Sequence, residues 1–236
     1  MNKKKIIGKS DHEETSTYGA FLIGKIIKQN QHPTANIALS GGNTPKLMFE
    51  KLSKLEKLNW ENVNIFLVDE RYINLDNKNS NFNMIKNHLI NNIDIPLENI
   101  KNVNYSNNIN ESAREYRDRI IKQFSLSKEN PNPVFDLIHL GIGEDGHTAS
   151  IFDLKKINNN KLIDITRGEK YKRITFTYKI LNNAKNILFL ATGDKKKKII
   201  KKILEKDKKY AAANVENDGY IYYLFDKSAA ALVKNK

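Results

Sequence analysis

Apolar positions recur along this chain in two rhythms. Over residues 11–29 they fall at Tyr18, Leu22 and Ile26, beside Ile23 and Ile27, the three-to-four spacing of a helix buried on one side. The same spacing returns after Pro45 at Met48, Leu52 and Leu55, from about Ser80 at Phe82, Ile85 and Leu89, and over 110–124 at Ala113, Tyr116, Ile120 and Phe124. A further helix over 195–204 pairs Ile199 with Ile203 and Ile200 with Leu204, and a short one is predicted over 226–233. Between these lie brief continuous apolar runs at 36–39, 63–68, from Phe135, and at 174–176, 187–191 and 220–224. Runs of that kind are the pattern of strands buried on both faces of a parallel sheet. Strands alternating with helices predict an α/β fold, a Rossmann-like three-layer αβα sandwich with a mostly parallel sheet and helices on both faces.

Composition narrows the picture. A chain of 236 residues that is 39% hydrophobic is long enough for one substantial core, so a single domain over 1–236 is expected. It has no Cys, which removes disulfide frameworks and cysteine metal sites. The basic stretch 1–10 is followed by no long apolar segment, and no run elsewhere could span a bilayer; a cytoplasmic protein without a membrane partner is expected. The net charge of +13 raises nucleic-acid binding. The lysines are scattered rather than gathered in one patch, and no nucleic-acid motif is present, so the reading favoured is a positive field that attracts small anions. The lysine run at 195–198 reads as the wet face of an amphipathic helix, with Lys196 in the first turn able to bend towards a ligand at the sheet edge.

Three stretches carry candidate chemistry. Strand 36–39 ends in Ser40-Gly41-Gly42-Asn43-Thr44-Pro45, where Thr44 can cap a helix and Pro45 suits its first turn. A strand, a glycine turn and a helix N-terminus make an anion site, because free N–H groups and the helix dipole point outward there; an ordinary strand-to-helix turn reads the same way. Strand 63–68 ends in Asp69-Glu70-Arg71, either a solvated loop start or polar groups presented to a ligand at the carboxyl end of a sheet. The run from Phe135 breaks into Gly141-Ile142-Gly143-Glu144-Asp145-Gly146-His147-Thr148-Ala149-Ser150. Glycines let the backbone turn tightly and approach a ligand, and His147 is a group that titrates near neutral pH. The three glycines also fit a dinucleotide fingerprint with Asp164 as its acid, but a histidine and small polar residues stand where that motif opens a helix. Ser150 lacks a nucleophile elbow. The five histidines (12, 32, 88, 139, 147) have no metal-site spacing, so no metal is expected.

Taken together, 39–45, 68–71 with Ser80-Asn81, 141–152, Arg173-Ile174-Thr175, Gly193 with Lys196, and 226–230 resemble the 6-phosphogluconolactonase family, in its order and over nearly the whole chain. The Asp-Gly-His-Thr-Ala-Ser segment is the most specific part. The chain departs from the family pattern at Asp153, where proline is frequent, in the short segment 167–172, at Tyr223, where tryptophan is common, and at His139, where an aliphatic residue is usual; His139 reads as a satisfied core histidine. The resemblance implies the fold of sugar-phosphate isomerases. It also implies hydrolysis of 6-phospho-D-glucono-1,5-lactone to 6-phospho-D-gluconate, second step of the oxidative pentose phosphate pathway, with no cofactor. The alternative is a glucosamine-6-phosphate deaminase or isomerase, whose histidine is usually followed by Ile-Ala-Phe-Asn-Glu-Pro; here Thr-Ala-Ser-Ile-Phe-Asp follows.

Opening a δ-lactone needs an activated water, an oxyanion stabiliser and a proton for the departing ring oxygen, and one imidazole can handle both proton transfers. The residues expected to do this are His147 as proton shuttle, Asp145 or Asp69 as its orienting acid, and Arg71 facing the lactone carbonyl or sugar hydroxyls. The turn Ser40, Gly41, Gly42, Asn43 and Thr44, with Arg173 and Lys196, resembles the family's phosphate clamp. The expected partner is a small phosphorylated sugar lactone, and the expected assembly a monomer or weak homodimer.

Overall fold

Strands that are apolar on both faces need a layer on each side, and the chain supplies two. The computed structural model describes residues 3–233. Along it run β1 (Lys3–Lys9), α1 (His12–Lys28), β2 (Ala35–Leu39), α2 (Lys46–Ser53), β3 (Val63–Leu67), β4 (Asp69–Arg71), α3 (Asn81–His88), β5 (Ile100–Lys101) and α4 (Ile109–Gln123). Then follow β6 (Leu137–Gly141), β7 (Ile163–Arg167), β8 (Lys172–Phe176), α5 (Tyr178–Leu181), β9 (Asn186–Ala191), α6 (Lys197–Leu204) and β10 (Tyr220–Asp226). The main sheet has the order β1-β10-β9-β6-β2-β3-β5, with every neighbouring pair parallel.

The two-residue period of the strands divides the core. Ile37, Leu39, Ile65, Leu67, Leu137 and Leu188 face one side and pack on α1, α2 and α3 through Ile23, Phe49, Leu52 and Ile85. Ala38, Phe66, Ile138, Leu140 and Phe189 face the other and pack on Tyr116 and Ile120 of α4, Ile180 of α5 and Ile199, Ile200 and Ile203 of α6. This is the three-layer α/β arrangement. Local signals start the helices: Asp11 accepts the Glu14 N–H at 2.9 Å, and Ser80 accepts the Asn83 N–H at 3.1 Å. Among the described residues no helix is long and apolar enough to cross a membrane.

Four local expectations need correction. Residues 3–9, assigned no element from the sequence, form an edge strand paired with β10, lysine-rich and largely exposed, a composition that blunts a free sheet edge. Residues 227–232 form successive turns rather than a helix, and the Asp226 carboxylate that takes the Ala229 N–H at 2.7 Å also takes the Gly193 N–H at 3.0 Å. Thr44 does not cap α2; Pro45 holds the cap position without any side-chain bond. The stretch 69–71 and the strand containing Arg173 lie outside the parallel sheet: β4, β8 and β7 form a small antiparallel sheet of their own.

The main sheet is closed beyond the two-residue β5 by a side chain. Tyr116 of α4 is fully buried, and its hydroxyl accepts the Leu67 N–H at 2.9 Å and donates to the Leu67 carbonyl at 2.5 Å. Leu67 stands two residues before Asp69, so this bond also fixes where β4 begins. Tyr116→Phe leaves a buried N–H and C=O unpaired; it is expected to lower the unfolding free energy by about 1–3 kcal/mol in urea titrations without changing the far-ultraviolet circular dichroism.

Candidate active site

Strands β2 and β6 are hydrogen-bonded neighbours, yet the chain leaves them in opposite directions, from β2 towards β3 and β5 and from β6 towards β9 and β10. Such a switch point opens a crevice at the carboxyl ends of the two strands. A cleft of about 320 Å³ lies there. Ser40, Gly41, Gly42, Asn43 and Thr44 border it from the end of β2, His147 from the loop after β6, Asp69 and Arg71 from β4, Arg173 from β8, and Lys196 from the turn before α6. The structure thus brings together the sequence-predicted residues; Asp145 stands just outside the lining, against His147.

The turn after β2 is open to an anion. Among the described residues, the N–H groups of Gly41, Gly42, Asn43 and Thr44 donate to no protein acceptor. Gly42 has φ +107°, a conformation glycine takes without strain. A Cβ on Gly41 would overlap the Asn81 carboxamide, which donates to the Asp69 carbonyl at 2.9 Å. Only glycine lets the turn lie this close to α3.

The histidine loop is tightly wound. Gly143 N–H bonds the His147 carbonyl at 2.8 Å, Gly146 N–H bonds the Gly143 carbonyl at 3.0 Å, and Thr148 Oγ1 donates to the Gly141 carbonyl at 2.8 Å. A side chain at Gly143 would overlap the imidazole. His147 Nδ1 lies 2.6 Å from Asp145 Oδ1. A carboxylate only accepts, so Nδ1 carries the proton, and in the neutral ring Nε2 has a free lone pair. Partial burial pushes the Asp145 carboxyl up, but the His147 charge and its backbone and ring hydrogen bonds outweigh this and hold it below the ordinary aspartate value. The ring also packs on Phe152, centroids 4.7 Å apart.

Asp69 is not the partner of that imidazole. It is buried and its Oδ2 accepts the Ser150 hydroxyl at 2.5 Å and lies 3.7 Å from Arg173 Nη1. The reason is the antiparallel pairing of β4 with β8, which places Asp69 opposite Thr175 and Arg71 opposite Arg173. Burial pulls the Arg173 pKa down; Asp69 counters this, and Arg71 adds to it by repulsion. Lys196 Nζ donates to the Ile142 carbonyl at 2.7 Å. Burial lowers its pKa against the opposing pull of Glu144 and Asp145. Arg71 donates to the Asn79 carbonyl.

Residues 10–223 match the family described as glucosamine-6-phosphate isomerases/6-phosphogluconolactonase. The chain is similar to the 6-phosphogluconolactonase of Synechocystis, 33% identical over 199 residues covering 82% of each chain. It is also similar to that of Haemophilus influenzae, 34% identical over 218 residues covering 88% of this chain and 91% of the relative. The crystal structure of 6-phosphogluconolactonase from Thermotoga maritima superposes with a TM-score of 0.86 at 31% identity, over 95% of this chain and all of that one. The chain belongs to the glucosamine-6-phosphate isomerase/6-phosphogluconolactonase family.

Several residues in or beside this family member's cleft were not picked out as site residues by sequence reasoning. Glu70 is buried and does not line the cleft; its carboxylate accepts from the N–H groups of Phe82 (2.7 Å), Asn81 (2.8 Å) and Arg71 (2.7 Å) and from the Ser80 hydroxyl (2.9 Å). Burial pushes its carboxyl up against these donors. It holds β4 to the start of α3, and the Ser80-Asn81 pair was its only sequence trace. Phe152 lies under the Arg173 guanidinium, 5.7 Å from the ring centroid. His139 is only half satisfied: Nδ1 accepts the Ser40 N–H at 3.4 Å, while Nε2 has no partner. Ser40 Oγ, Asn81 Oδ1 and Arg173 Nε are likewise buried without a protein partner, and all four residues border the cleft.

Burial lowers the His139 pKa from 6.5 to about 3. Between those values the unfolded chain takes up a proton that the native chain refuses, so the stability this group contributes is complete above pH 6.5 and is lost as the pH falls. His139→Leu removes that term. The loss of unfolding free energy between pH 7 and pH 5, from urea titrations at both, is expected to be about 2 kcal/mol smaller in the variant than in the wild type. Equal losses in the two proteins would show that His139 is charged in the native state.

Proposed function

We propose that this cleft hydrolyses 6-phospho-D-glucono-1,5-lactone to 6-phospho-D-gluconate without a cofactor, as the second step of the oxidative pentose phosphate pathway. The carrying observation is the His147–Asp145 pair at 2.6 Å in the same crevice as a turn of unpaired N–H groups and three cationic side chains. The similarity to 6-phosphogluconolactonases over most of the chain supports the same reading.

In this mechanism the phosphate sits on the turn 41–44 with Arg173 and Lys196, which fixes the lactone carbon near His147. His147 Nε2 takes a proton from water as its oxygen bonds C1. Arg71 faces the carbonyl oxygen as it becomes an oxyanion. Collapse of the tetrahedral intermediate breaks the bond from C1 to the ring oxygen, which receives the proton from Nε2. Asp145 holds the ring in the right tautomer throughout and stabilises the imidazolium, an interaction that strengthens only after the proton has moved. Asp69 acts through Arg173 rather than through the imidazole.

The reading takes the chain to act as a monomer or weak homodimer, with 1–236 forming one domain. A cytoplasmic enzyme suits a soluble phosphorylated substrate.

His147→Ala is expected to lower kcat by about 10²–10⁴ with the circular dichroism unchanged. The assay couples lactone opening to 6-phosphogluconate dehydrogenase and subtracts spontaneous hydrolysis; a wild-type rate at that background would sink the reading. Ammonia release from glucosamine 6-phosphate tests the deaminase alternative in the same preparation. Lys196→Met is expected to raise KM and also lower kcat by about tenfold or more, since a loosened phosphate misplaces the reacting carbon.

A further inference from the structure

His139 lies in β6 with its ring 1% exposed, packed edge-on against Phe49 of α2 at 5.7 Å and 80°. It therefore sits beneath the first turn of α2 and next to the residue that opens the turn 40–44. Its Nδ1 accepts the Ser40 N–H. A nitrogen that accepts carries no proton, so in the neutral ring the proton is on Nε2. Among the described residues that N–H meets no protein acceptor, and neither of the roles open to the Ser40 hydroxyl is filled, although both residues are more than nine-tenths buried. Packing explains the ring's apolar faces, and the Ser40 bond explains Nδ1. The Ser40 bond uses only Nδ1, and among the described residues nothing inside the protein engages the polar atom at Nε2. Both residues border the cleft, and the unpaired N–H groups of 41–44 follow directly in the chain.

We propose that the Nε2–H of His139 and the hydroxyl of Ser40 form a neutral donor pair in the floor of the anion subsite and receive a phosphate oxygen of the ligand from below, while the backbone N–H groups of 41–44 hold the others. The proposal rests on the phosphate subsite of the proposed function, but not on lactone chemistry. Neutral donors complement Arg173 and Lys196: the cations supply attraction at a distance, and the donors fix orientation once the anion is seated. Burial holds the His139 pKa down at about 3, so at neutral pH this donor adds no charge to the subsite.

The test is the affinity for inorganic phosphate, measured by titration calorimetry on the wild type, His139→Leu, His139→Gln and Ser40→Ala, with thermal melts to report folding. Removing a donor to a charged group is expected to weaken phosphate about tenfold or more in His139→Leu. The amide of His139→Gln can donate from a similar reach and is expected to recover affinity to within about threefold of wild type. Ser40→Ala is expected to weaken binding about threefold. With lactone as substrate, His139→Leu should raise KM more than it lowers kcat. A folded His139→Leu that binds phosphate like wild type overturns the proposal, as does a wild type with no measurable phosphate binding. Should His139→Leu fail to fold, the nitrogen-15 spectrum of wild-type histidines decides: the proton on His139 Nε2 must shift on adding phosphate, and an unmoved signal refutes the assignment. Phosphate affinities that follow this pattern in a protein that does not open the lactone would leave the subsite standing and the proposed function wrong.

Discussion

The cleft exists because the ladder between β2 and β6 stops early. The two strands pair only at Ile37 with Leu137 and Ala38 with Ile138, whereas β2 stays in register with β3 one residue further, to Leu39 and Leu67. Beyond Ala38 the neighbours separate, and the Ser40 N–H turns to the imidazole of His139 instead of a strand carbonyl. A buried N–H must find an acceptor, so a histidine at this point of β6 lets the sheet split without leaving that group unpaired. The split then gives each strand its own loop, an anion turn on one side and a histidine loop on the other, both bordering the same cleft.

Two sheets share the task of holding those groups. The parallel sheet fixes the ends of β2 and β6. The small antiparallel sheet carries Arg71 and Arg173 opposite each other. Ser150 ties the histidine loop to the antiparallel sheet: its hydroxyl donates to Asp69 on β4, its N–H to Thr175 Oγ1 on β8 at 3.1 Å, and its carbonyl accepts from Thr166 on β7 at 2.8 Å. Thr148 ties the same loop back to β6. Between them Ala149 is held at φ +50°, a left-handed conformation costly for a residue with a Cβ. The strain is sustained because residues on either side of it are anchored, one to each sheet. The distance from the imidazole to the arginines is therefore set by side-chain bonds of fixed length rather than by a free loop.

The central strands were legible because burial on both faces leaves only one kind of residue at each position. β1 was not, because an edge strand of lysines has no apolar period to read. β4 and its pairing were hidden for a different reason. Asp69-Glu70-Arg71 has the composition of a loop, and its partners on β8 lie about a hundred residues away in the chain; no local pattern announces a contact of that separation. The same difference decides which acid meets His147. Asp145, two residues away, also accepts the His147 N–H at 3.2 Å, so the turn itself delivers it to the ring. Asp69 shares the cleft but is committed to Ser150 and Arg173 by a pairing the sequence does not display. The six-residue turn after β2 was readable as an anion site or as a plain connection, and what separates these is the set of unpaired N–H groups, a property of three-dimensional structure alone.

The excess of positive charge acquires a specific meaning once the site is placed. On the surface several lysines are paired with acids: Lys197 with Asp194, Lys201 and Lys202 with Glu205, and Lys208 with Glu216. Exposed pairs of this kind contribute little to stability. Within the cleft the balance differs. Asp69 is shared between Ser150 and Arg173, and Asp145 faces the imidazole, so among the described residues Arg71 and Lys196 have only carbonyl oxygens as close partners. A carbonyl satisfies a cation's hydrogens without cancelling its charge. The crevice therefore keeps a net positive potential between low-dielectric walls, where it acts at longer range than surface lysines screened by salt. A long polyanion would be drawn equally to the scattered lysines outside. A small dianion gains most from a narrow pocket whose charges are already in place, and that is the class of ligand for which this distribution of charge is efficient.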